Sequence, residues 1–84
     1  MLADDFIIRI NSIIFNGIRD YPYPYYSLKY ARDIALHRLS CAGFVPFLDA
    51  DRNIIVNGEM FKIYRNRTWK NYDVRHIGPA PENV

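Results

Sequence analysis

The sequence holds a single cysteine, Cys41, four glycines scattered singly, and no apolar run longer than a few residues. Each shortage closes off a class. One thiol excludes an internal disulfide and a cysteine-only metal cage, and points to the framework of a reducing compartment. Isolated glycines supply no phosphate-cradling loop. Runs such as Ile13–Phe15 and Ile54–Val56 are far too short to cross a bilayer. The start, MLADDF, puts two acids where a secretory leader carries positive charge, so a cytoplasmic protein with no membrane partner is expected. Nucleophile elbows and paired-carboxylate constellations are missing too. The expectation is a non-enzymatic protein with no catalytic residue and no cofactor.

What is there is bulk. Half of the 84 residues are apolar, and seven Tyr, five Phe and one Trp give a small chain enough volume to close a core. A domain of this size buries only about 60–65% of its unfolded surface, so large side chains must supply most of the stabilisation. One domain spanning residues 1–78 is expected, followed by a flexible, proline-containing tail at 79–84.

Periodicity divides that domain in two. Over residues 4–19, Phe6, Ile7, Ile10, Ile13, Ile14 and Ile18 fall on one face at helical spacing, with Arg9, Ser12, Asn16 and Arg19 opposite. Asp4 or Asp5 is the expected N-cap. Asp20–Tyr26, with prolines at alternate positions, predicts an extended polyproline-like connector. Ser27 is placed to cap a second helix, Leu28–Ala42, whose inward stripe is Leu28, Ala31, Ala35, Leu39 and Ala42, and Gly43 stops it. Beyond Gly43 the pattern is that of strands: Phe44–Leu48 with Pro46 marking an edge, a polar turn at Asp49–Asn53, Ile54–Val56, the hairpin signal Asn57-Gly58, Glu59–Arg65, a turn at 66–68, and a last strand Trp69–Ile77. The fold class is therefore α+β, with two N-terminal helices packed on a C-terminal antiparallel β-meander of three or four strands.

The net charge of +2 says little, but its distribution says more. From Lys62 to His76 five bases stand against the single acid Asp73, interleaved with aromatic rings. The candidate binding residues are Lys62, Tyr64, Arg65, Arg67, Trp69, Lys70, Tyr72 and Arg75. Cations with exposed rings suit an acidic protein surface or a phosphate backbone, where each stacked base contributes about 1–3 kcal/mol. The plainer reading is a solvated sheet face whose Lys and Arg discourage edge-to-edge aggregation, with Trp69 and Tyr72 in the core.

Three other patterns are weaker. His37 and Cys41, at i and i+4, share a helix face, but no second cysteine completes a site. Asp49-x-Asp51-x-Asn53 begins like a calcium loop, yet Ile54 and Met60 stand where that loop needs Gly and Glu, so no metal residue is assigned. Tyr21–Tyr26 is either a set of binding anchors or a lid over the core.

A short aromatic-rich chain without catalytic motifs suits the profile of phage or mobile-element accessory proteins. The leading expectation is a small binding protein that engages, and inhibits, a larger protein or nucleoprotein machine through its basic aromatic hairpin, with a protein as its partner. Direct DNA or RNA binding through the 59–76 hairpin is the first alternative. A homodimeric structural subunit, pairing through the Pro46 edge or the last strand, is the second.

Overall fold

The structure, a computed structural model, describes residues 3–81. Two helices, α1 (Ala3–Ile18) and α2 (Leu28–Cys41), precede four strands: β1 (Phe47–Leu48), β2 (Ile54–Val56), β3 (Glu59–Asn66) and β4 (Asn71–Pro79). The strands form one antiparallel sheet in sequence order, so every connection is a turn between neighbours. This is the expected α+β architecture.

α1 carries a surplus of β-branched residues, and burial holds it in place. Ile10, Ile14 and Ile18 are completely buried, and Phe6, Ile7 and Ile13 pack around them. Asp4 and Asp5 lie inside the first turn and not at the cap expected of them, where they still oppose the positive end of the helix dipole. α2 begins as predicted: the Ser27 hydroxyl accepts from the Tyr30 N–H at 3.1 Å. Its small residues Ala31 and Ala35, with Leu39, are buried and bring the helix close to α1 and the sheet. Gly43, at φ +95°, ends it.

The connector between the helices differs from expectation. It folds back in turns, with the Tyr26 N–H bonded to the Pro22 carbonyl at 3.1 Å, and is not an extended polyproline segment. Ring contacts explain the difference. Tyr21 meets Tyr26 and Tyr30 edge-on at 5.0 and 5.5 Å, and Tyr26 stacks on Tyr30 at 5.4 Å.

In the sheet, the helix-facing side of β3 and β4 completes the core. Phe61, Ile63 and Tyr72 are buried against the two helices together with Ile54 and Val56. The opposite side places Lys62 across from Arg75 and Tyr64 across from Asp73. Asn57 and Gly58, at φ +49° and +78°, form the type I′ turn that Asn-Gly announces. The last strand also ends two residues beyond the expected Ile77. β4 reaches Pro79, and the Ala80 N–H bonds the Gly58 carbonyl at 2.8 Å. Positions 82–84 of the expected tail lie outside the described residues.

Candidate cationic groove

The hairpin expected to carry function divides among four places. Asn66 explains the first departure. Its side-chain oxygen accepts from the N–H groups of Thr68 and Trp69 at 3.1 and 3.3 Å, and Lys70 takes φ +54°. The turn therefore runs over residues 67–70 and β4 starts at Asn71, two residues later than expected. Trp69 is carried out of the sheet by this turn and is 77% exposed, with Lys70 exposed beside it.

Tyr72 corrects the candidate list. It is fully buried, so its ring is unavailable to a ligand. Its hydroxyl donates to the Tyr26 carbonyl, which ties β4 to the inter-helix connector. Alternation puts it on the helix side across from Arg65, and the core takes it there. Arg75 is exposed on the outer face opposite Lys62. Two cations directly opposed across a ladder destabilise it, and neither forms an ion pair among the described residues.

The remaining four candidates, Lys62, Tyr64, Arg65 and Arg67, come together in one groove of about 300 Å³. Its other wall comes from residues outside the candidate binding list: Leu28 and Arg32 on α2, and Asp51, Arg52 and Asn53 in the β1–β2 turn. Five cations thus line one groove beside a single carboxylate. None of the five forms an ion pair among the described residues, where the salt bridges are Lys29–Asp33 and Glu59–His76.

Local chemistry fixes several of these positions. Asp49 accepts from the N–H groups of Asp51 and Asn53, both at 2.9 Å, so the Asp-rich segment is a side-chain-closed turn. Arg52 sits at its tip at φ +66°. The Arg65 guanidinium lies 5.9 Å from the centre of the Tyr23 ring, a cation–π arrangement with the inter-helix connector. The Arg32 guanidinium is held below the ordinary arginine value, first by burial and then by Arg52, with Asp33 and Tyr72 offsetting part of the shift. Arginine remains charged throughout the physiological range, so Arg32 is a partly desolvated cation with a second cation, Arg52, nearby.

Helical periodicity alone does not bring Arg32 to the β1–β2 turn; that placement is tertiary. Arg52 stood within a motif whose acids drew attention away from it. Elsewhere, the His37 and Cys41 side chains meet at 3.5 Å on the exposed face of α2. Among the described residues no three His, Cys, Asp or Glu side chains converge, and no helix is long and apolar enough to cross a membrane. Comparison of the chain with known protein families, with characterised proteins and with solved structures finds no match.

Proposed function

We propose that the protein is a non-enzymatic binding protein that engages an acidic surface of a larger protein partner through the groove between α2, the β1–β2 turn and β3. The observation that carries this reading is the convergence of Arg32, Arg52, Lys62, Arg65 and Arg67 from α2, the β1–β2 turn, β3 and the turn that follows it, without ion-pair partners among the described residues. Clustered like charges oppose folding, and an acidic ligand turns that cost into binding free energy. The groove also has an apolar floor, Leu28 and Ile63, which suits peptide side chains better than a solvated phosphate backbone. Tyr64 lines it as amphipathic contact area.

The test is a titration of the labelled alternating peptide Glu-Val-Glu-Val-Glu, beside single- and double-stranded DNA and RNA, at about 50 and 200 mM salt. The peptide is expected to bind and to lose most of its affinity with the Arg32→Glu/Lys62→Glu double variant. Tighter binding to a nucleic acid than to the peptide, falling by about 10³ or more across that salt range, transfers the groove to phosphate recognition and overturns the reading.

A further inference from the structure

β3 outruns its neighbour. The β2–β3 ladder ends at the pair Ile54–Phe61, whereas β3 continues to Asn66. The type I′ turn makes Val56–Glu59 a hydrogen-bonded pair, and alternation makes Ile54–Phe61 another. Main-chain groups two residues along a strand point the same way. The N–H and C=O groups of Ile63 and Arg65 therefore face the lane that β2 has vacated, while those of Lys62, Tyr64 and Asn66 are turned to β4. Outside the strand ladders, no main-chain hydrogen bond among the described residues involves Ile63 or Arg65. That vacated lane is the cationic groove. Two donors and two acceptors without main-chain partners lie along its edge, those of the exposed Arg65 and those of Ile63, a residue 3% exposed.

We infer that this notch is a strand-addition site, which takes an extended acidic segment of the partner protein as a continuation of β2. The inference rests on the binding function proposed above and specifies how the partner is held. Lys62 to Asn66 spans about 13 Å, room for roughly five residues of added strand. Main-chain pairing with Ile63 and Arg65 supplies register. Cations flank the lane on every side: Arg52 in the turn leading into β2, Arg67 in the turn that follows β3, Arg32 across the groove on α2, and Lys62 on the outer side of β3. Leu28 and Ile63 offer an apolar floor for the alternate side chains.

The other long edge, β4, is less suited to this role. At its middle, the Asp73 carboxylate accepts from the Val74 N–H at 2.8 Å, so a central outward donor is already taken by an acid that would repel an acidic strand. Native sheets blunt their edges by such means. The β3 notch has no comparable plug.

The test follows main-chain amide exchange by NMR while the Glu-Val-Glu-Val-Glu peptide is titrated to saturation, with saturation read independently by fluorescence anisotropy. The expected result is slowing of the Ile63 and Arg65 amides by about tenfold or more. A peptide N-methylated at both Val residues, or at the flanking Glu residues where those donate, should bind on the order of 10²-fold more weakly. Saturation with neither amide protected, or with both N-methylated peptides binding as well as the parent, overturns strand addition while leaving charge-driven binding intact. Protection at Tyr72, Val74 and His76 instead moves the site to β4 and also overturns it. No binding of the parent peptide at the lower salt overturns both this inference and the function it rests on.

Discussion

The two halves of β3 belong to one strand but to different surroundings. Glu59, Met60 and Phe61 have strand partners on both sides, with Val56, Ile55 and Ile54 on one and the end of β4 on the other. From Lys62 to Asn66 the strand is paired on the β4 side alone. In the closed half the neighbouring β2 residues are all buried, and the hairpin is set by a two-residue turn. In the open half, cations gather and the main chain stands free on one side. The difference teaches that the site is made by what stops short. β2 is three residues long because Asp49 closes the preceding turn onto Asn53 and turns the chain out of the sheet. The same turn that delays the start of β2 places Arg52 beside the gap.

If the open half is held by its packing against the helices and not by a second strand, its stability should concentrate in Tyr72. Tyr72→Ala removes a fully buried ring across from Arg65 and should cost about 3–5 kcal/mol, measured by denaturant unfolding. Tyr72→Phe, which removes only the hydroxyl donated to the Tyr26 carbonyl, should cost about 1 kcal/mol. A small loss for the alanine variant would mean that the open half is not anchored through the core.

Lys62→Glu sharpens the comparison in the opposite direction. It replaces a like-charge pair with Arg75 by an opposite-charge pair and should stabilise the fold by about 0.2–1 kcal/mol, while weakening the acidic peptide. Gain of stability with loss of binding marks a residue retained for its ligand. If the variant is instead less stable than the parent, Lys62 is not under electrostatic strain.

The smallest effect belongs to Trp69. As an exposed turn residue its replacement by Ala should change stability by no more than about 0.5 kcal/mol, and thermal unfolding checks this directly. A loss comparable to that of Tyr72→Ala would put the indole in the core, contrary to its place in the turn.

Trp69 and Tyr72 also show where sequence reading ran out. Both are aromatic, three positions apart in the same basic stretch, and alternation cannot assign either until the start of β4 is known. That start depends on one side chain, Asn66, capping two main-chain N–H groups and lengthening the turn. A hairpin register of this kind is a local hydrogen-bonding outcome that composition alone leaves open. The connector Asp20–Tyr26 is a second instance. Prolines at alternate positions favour extension, but contacts of Tyr21 and Tyr26 with Tyr30, a residue of α2, fold it into turns.

By contrast, the apolar spacing of α1 and the Ser27 cap of α2 belong to short-range patterns, as does the Asn57-Gly58 turn. Their causes lie within a few residues of one another: a stripe at helical period, a hydroxyl three residues before an N–H, a dipeptide that tolerates positive φ. The sequence by itself therefore determined two helices, the β-meander behind them, and a surplus of cations near the C-terminal end. Tertiary structure alone decided that Lys62, Arg65 and Arg67 meet Arg32 and Arg52. These five residues are separated by up to 35 positions and share no period. They converge because the buried stripe of α2 and the late start of β2 leave the same gap beside β3, and that geometry depends on packing between elements and not on any one of them.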